Sequence, residues 1–139
     1  MTTYAPAAAA RRSGFSLDTL RYYEKIGLVR DVARDPAGHR RYDDADLEWL
    51  EVLRCLRDTG MPIQAMRRYA ELALATGPDA DATVPERLGL LLAHAEHVAS
   101  TLETLRHQQQ HLEEKIGYYQ DLLRLPRSAP VTAGEHAGV

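Results

Sequence analysis

Apolar residues along the chain recur at helical spacing in four short stretches and then settle into a period of seven. Pro6 suits a first helical position, and Ala7 to Arg12 are good helix formers that stop at Ser13-Gly14. Ser16 can cap a second helix with Asp18 in its positive first turn, and Leu17, Leu20 and Tyr23 or Glu24 repeat until Gly27 closes it. Asp43 can cap a third, with Asp46 as an imperfect capping box; Leu47, Leu50 and Leu53 with Trp49, Val52 and Leu56 give it a broad face to bury. It ends near Thr59-Gly60. Pro62 opens a fourth, in which Ile63, Met66, Tyr69 or Ala70 and Leu74 repeat up to Gly77-Pro78.

After TGPDADAT, Leu88, Ala95, Leu102, Gln109, Ile116 and Leu123 share one heptad position, and Val84, Leu91, Val98, Leu105, Leu112 and Tyr119 share another. All but Gln109 are apolar, which predicts a coiled-coil helix about 60 Å long whose seam needs a partner. A homodimer is the economical answer, because two-fold symmetry supplies the second seam from the same sequence. Leu88, Leu91, Val98, Leu102, Leu105, Leu112, Ile116 and Tyr119 are the expected dimerisation residues. Leu90 and Leu92 lie off the seam and are expected to pack on the N-terminal helices. The pattern divides the chain into a helical domain over 1–77, a linker over 78–83, the long helix over 84–125 and an aperiodic, mobile tail over 126–139.

Between the second and third helices, LVRDVARDPAGHRRY cannot continue a helix through Asp35-Pro36-Ala37-Gly38, so it reads as a hairpin with two short extended arms. The arms carry Arg30, Arg34, Arg40 and Arg41 with His39 and Tyr42, against only Asp31 and Asp35. Guanidiniums and a phenol there suit phosphate oxygens. A hairpin-tip arginine such as Arg40 should carry little packing, so its loss should weaken binding and spare the fold. Two short helices joined through Gly14 form a helix-turn-helix candidate. TLRYYEKIGL sets Arg21, Tyr22 and Tyr23 side by side, and residues about 100° apart cannot all be buried.

Composition narrows the class. A chain of 139 residues, 45% apolar and 27% charged, holds a modest core and excludes a large multidomain enzyme. No apolar run approaches a membrane span and no secretory leader is legible, so no membrane association and a cytoplasmic location are expected. Net charge is −3, with 12 basic and 11 acidic residues up to Ala75 and 5 and 9 after it. That asymmetry is too small to define a partner; placement has to. Cys55 is the only cysteine, which excludes an intrachain disulfide and a thiolate-rich zinc site. His94, His97, His107 and His111 fall at water-facing heptad positions, so neither metal nor cofactor is expected.

RRSGFS, TLRYYEKIGL, a hairpin ending GHRRY, a helix opening DDADLEWL, and LRDTGMPI before a long coiled-coil helix together resemble the MerR family of transcriptional regulators over roughly residues 4–125. The resemblance implies a mainly α fold: a winged helix-turn-helix DNA-binding domain with a small β-hairpin wing, followed by a long C-terminal coiled-coil dimerisation helix. It implies no enzyme, but a homodimer with antiparallel long helices. That dimer would bind a pseudo-palindromic operator, then bend and untwist the promoter so that RNA polymerase engages both elements. It places Ser16, Thr19, Arg21 and one of Tyr22 or Tyr23 at the major groove, the other tyrosine packing inward. Arg34, Arg40, Arg41 and Tyr42 would lie on the wing, and Arg57 on a second, helical wing.

CLRDTGMPI further resembles the branch that senses aldehydes, other electrophiles or thiol stress through a single cysteine (NmlR/AdhR-like). Cys55 falls at the border of the apolar face, with Glu51 and Asp58 one turn either side. Negative charge there disfavours a thiolate, so an activating cation would have to come from tertiary neighbours or the partner chain. The alternatives are a small structural cysteine with a non-covalent inducer bound elsewhere, or a coiled-coil interaction protein, which would leave the arginine hairpin idle. An enzyme would need a nucleophile–base pair or a phosphate loop, and neither stands beside Cys55.

Overall fold

The computed structural model describes residues 2–125, so the tail read over 126–139 lies outside them. β1 (Thr3–Tyr4), α1 (Pro6–Ser13), α2 (Leu17–Lys25), β2 (Tyr42–Asp43), α3 (Asp44–Asp58), α4 (Ile63–Ala73) and α5 (Val84–Arg124) follow in order. The stretch read as a linker contains a 3-10 turn over Ala80–Thr83. Thr83 Oγ1 donates to the Ala80 carbonyl at 2.8 Å, and Arg87 reaches back to both residues. The chain divides into two compact units, one through Ala95 and one from Glu96, so the start of α5 belongs with the first.

Local signals set most helix ends. Ser16 Oγ accepts from the Thr19 N–H at 3.1 Å and caps α2. The Asp43 and Asp46 carboxylates each accept the other's backbone N–H at 2.8–2.9 Å, a complete reciprocal capping box opening α3. Gly14 ends α1 at φ 79°, and a side chain there would collide with the Arg54 guanidinium. Arg54 Nη1 donates to the Ser13 carbonyl at 3.1 Å, so this arginine ties α3 to the end of α1.

In the first unit Ala9 of α1, Leu20 and Tyr23 of α2, Leu50, Leu53 and Leu56 of α3, and Met66 and Ala70 of α4 meet around Phe15, Leu28 and Val29. Fully burying one such leucine contributes about 1.5–3 kcal/mol. The Trp49 indole N–H donates to the Leu28 carbonyl at 2.8 Å while its ring stacks on Tyr69. Leu91 joins this cluster from α5, whereas Leu90 is half-buried outside it and Leu92 is exposed; the residue that seats α5 is therefore neither of the two expected but their neighbour on the seam.

The arginine hairpin forms as expected, and strand pairing adds a partner that the sequence did not announce. The two-stranded antiparallel sheet joins Thr3 to Asp43 and Tyr4 to Tyr42, bringing the chain's start beside the end of the arginine hairpin. The hairpin itself holds a single bridge, Arg34 to Arg40.

The capping box gives a pH dependence. The Asp46 backbone N–H, helped by the Asp46 side chain and Arg30, holds the Asp43 carboxyl below the usual carboxylate range. A depressed folded pKa contributes stability above the unfolded value and loses it as pH falls through the folded one, so stability should decline below about pH 4. Asp43→Asn should flatten this acid limb in thermal unfolding from roughly neutral pH down to pH 3. An unchanged limb would assign the acid sensitivity to other carboxylates.

Candidate nucleic-acid interface

α2 and the hairpin that follows it present one basic surface. Asp35 shapes the hairpin tip: its Oδ1 accepts the N–H groups of Ala37 at 3.0 Å and His39 at 2.9 Å. Those bonds, the His39 one foremost, hold the carboxyl below its ordinary pKa and keep it an acceptor. The Arg41 N–H donates to the Ala33 carbonyl at 2.7 Å, closing the arms, and Gly38 takes φ 86°. Arg21 of α2 with Arg34, Arg40 and Arg41 of the hairpin then lines a recess of about 420 Å³ beside Ala5, Pro6 and His39. A second recess of about 660 Å³ shares Arg21, Arg34 and Arg40 and adds Lys25. Four arginines from two elements thus converge where a phosphate backbone can lie.

The neighbouring tyrosines divide cleanly. Tyr22 is 53% exposed, while Tyr23 is 5% exposed with its ring edge-on to Phe15 at 5.3 Å. Tyr23 is therefore core rather than contact. Tyr42, expected on the wing, is only 2% exposed, because pairing with Tyr4 turns its side chain into the core. Burial, then the Glu24 carboxylate, pushes its phenol pKa up. Ser16 and Thr19 stand together at the start of α2, with Ser16 Oγ donating to Thr19 Oγ1 at 2.9 Å.

The arginines differ in how free they are. Arg21 is 61% exposed and meets only Asp18, at 3.5 Å, among the ion pairs of the described residues. Arg34 donates to the Gly38 carbonyl, and Arg41 to Thr3. Arg40, by contrast, donates from Nε to Glu24 at 2.8 Å, with both side chains largely covered. Glu24 also accepts the Val32 N–H at 3.0 Å, so Arg40 pins the hairpin to α2 rather than hanging free at its tip. Arg57 lines neither recess; it sits over the Phe15 ring at 4.6 Å and pairs with Asp58. Arg30, read in the sequence with the phosphate-facing arginines of the hairpin arms, instead bridges Asp43 at 3.1 Å and the buried Asp46 at 2.8 Å; no local spacing marks contacts so far along the chain.

Cys55 is exposed on α3. The Asp58 carboxylate beside it is engaged by Arg57 and Arg54, which draw its pKa below the ordinary value, so its charge is already countered from the same helix. His94, expected to face water, is half-buried with Nε2 2.7 Å from Thr59 Oγ1. Among the described residues no group of three side chains could hold a metal ion. No described helix is long and apolar enough to cross a membrane.

α5 has no buried residue along its length. Leu88, Leu102, Leu105, Leu112, Ile116 and Tyr119 are each about half exposed or more, with Leu105 at 54% and Leu112 at 63%, while Leu91 and Val98 are intermediate. This row of apolar side chains at heptad spacing is an exposed apolar stripe of the kind that coiled-coil helices carry.

A helix-turn-helix with an arginine wing, followed by a long helix carrying an open heptad seam, defines a DNA-binding transcriptional regulator. The family described as MerR HTH family regulatory protein matches residues 4–72. An HTH-type transcriptional regulator of Haemophilus influenzae, itself uncharacterized, is 40% identical over 118 residues, covering 85% of this chain and 84% of its own. The HTH-type transcriptional regulator AdhR of Bacillus subtilis is 38% identical over 85 residues, 61% of this chain and 58% of its own. Among solved structures, HiNmlR, a MerR family regulator lacking the sensor domain and bound to promoter DNA, superposes with TM-score 0.78 at 40% identity over 89% of this chain and 95% of its own. A second relative, from Listeria monocytogenes, gives 0.74 at 29% identity over 84% and 86%. The chain belongs to the MerR family.

Proposed function

We propose that the protein binds a pseudo-palindromic operator as a homodimer through Ser16, Thr19, Arg21 and Tyr22 of α2 and Arg34, Arg40 and Arg41 of the wing, with Arg57 on the second wing. It distorts the promoter for RNA polymerase when Cys55 reacts with an aldehyde, another electrophile or an oxidant. Residues 1–77 hold the DNA and 84–125 the partner chain. The convergence of Arg21, Arg34, Arg40 and Arg41 on one recess carries the DNA-binding part of this reading. HiNmlR, whose own crystal structure holds promoter DNA, supports it.

Exposure of the thiol supports the sensor part, since a structural filler would be buried. With an aldehyde, the Cys55 sulfur bonds to the carbonyl carbon, the C=O π pair takes up a proton and the thiol loses one, leaving a hemithioacetal. Coupling between a sensor and a response is typically about 1–3 kcal/mol, so a modest change near the end of α3 is enough to shift the promoter response. Cys55→Ser is expected to bind the operator as the parent does and to lose induction by aldehyde. A parental response in a promoter-output assay would return Cys55 to a structural role and assign induction to a non-covalent ligand.

A further inference from the structure

Thr59 closes α3 and has a single hydroxyl hydrogen to place. Its Oγ1 lies 2.6 Å from the Cys55 carbonyl oxygen, 3.4 Å from the Leu56 carbonyl oxygen and 2.7 Å from His94 Nε2. Carbonyl oxygens only accept, so the hydrogen goes to the nearer one, that of Cys55. What remains on Oγ1 is lone pairs, and a ring nitrogen at 2.7 Å can satisfy them only by donating. With the hydroxyl hydrogen on the Cys55 carbonyl, Nε2 of His94 is the donor to Oγ1, and the relay requires that tautomer. The outcome is a directed chain from His94 on α5, through the Thr59 hydroxyl, to the peptide of Cys55. The Thr59 backbone N–H donates to the same Cys55 carbonyl at 3.1 Å, so one residue grips that peptide twice.

The chain is well placed to sense a change at the end of α3. Leu91, one turn before His94 and on the same face of α5, packs against the core, so the histidine is held where Thr59 meets it. Both lie in the compact unit that ends at Ala95. We propose that Thr59 and His94 are positioning residues that transmit the state of Cys55 to α5, an inference that rests on Cys55 being the sensor. An adduct on the thiol re-seats the last turn of α3, displaces the Thr59 hydroxyl from the His94 N–H, and changes how α5 is held. Neither residue lines the arginine recesses, so the chain acts on the response and not on DNA affinity.

The test compares the full-length parent with Thr59→Val, Thr59→Ser, His94→Leu and Cys55→Ser, using formaldehyde as the probe. Mass spectrometry reads modification of Cys55, anisotropy reads operator affinity, and in vitro transcription with RNA polymerase reads the ratio of induced to uninduced transcript. Thr59→Val and His94→Leu should keep Cys55 modification and operator affinity within about threefold while the ratio falls by about fivefold or more. Thr59→Ser, which restores the hydroxyl, should keep the parental ratio. His94→Leu, on a half-buried helix face, covers the case in which Thr59→Val does not fold. If either loss variant keeps the parental ratio while Cys55→Ser is inert, the relay is wrong and the sensor stands. Loss of Cys55 modification in both loss variants overturns it too, assigning the pair to thiol reactivity. A parental response from Cys55→Ser removes the sensor reading and the relay with it.

Discussion

Leu105→Asp is expected to leave the protein monomeric at concentrations where the parent is a dimer. Leu105 sits midway along the α5 seam, 54% exposed in the single chain, so a partner helix would cover it. Aspartate there places a carboxylate from each chain into an apolar seam. It either stays charged without a partner or takes up a proton, at a cost on the order of 3 kcal/mol per chain. For two chains that amounts to roughly a ten-thousand-fold loss in association. Operator binding should fall with it, because each half-site contact depends on the two-fold arrangement. Sedimentation velocity settles the point: an intact dimer would refute the seam as drawn. Glu103→Ala, off the seam, should sediment as the parent does.

Arg21→Ala should separate DNA contact from folding more cleanly than any wing substitution. Arg21 is largely exposed and tied only loosely to Asp18, so thermal stability should hold. Operator affinity should fall, and the slope of log affinity against log salt should flatten by about two, one phosphate contact per chain. Arg40→Ala should behave differently. It leaves Glu24, 13% exposed, without its guanidinium, at a cost of about 1–3 kcal/mol of stability besides any lost DNA contact. Equal unfolding midpoints for Arg40→Ala and the parent would show that the Glu24 pair holds nothing together.

Signals confined to a few neighbouring residues were legible in the chain. Ser16 and Asp43 cap the helices they were expected to cap, Gly14 stops α1, and the heptads run the length of α5. The caps rest on local hydrogen bonds, the stop on a backbone preference and the heptads on side-chain periodicity, so each signal can be read from the residues nearby. What could not be read depends on pairs far apart in sequence. The sheet between Thr3–Tyr4 and Tyr42–Asp43 is two residues long and has no periodicity of its own, yet it decides that Tyr42 points inward. The arginines were legible as a basic cluster, but not as a divided set in which Arg30 and Arg40 brace the fold and Arg21 is exposed with only a loose tie to Asp18. A guanidinium carries the same charge in either role; only the position of Glu24 or Asp46 distinguishes them. Thr59 and His94 were legible as a helix end and a surface histidine, and their meeting was not.

The most direct test of the central claim is a titration of a fluorescently labelled duplex carrying the DNA upstream of the protein's own gene, followed by anisotropy at several salt concentrations. Two chains should bind per duplex, a scrambled duplex should bind more weakly, and log affinity should fall steeply and linearly with log salt. Equal binding to both duplexes, or an affinity indifferent to salt, would contradict an operator-binding dimer gripping phosphates through α2 and the arginine wing.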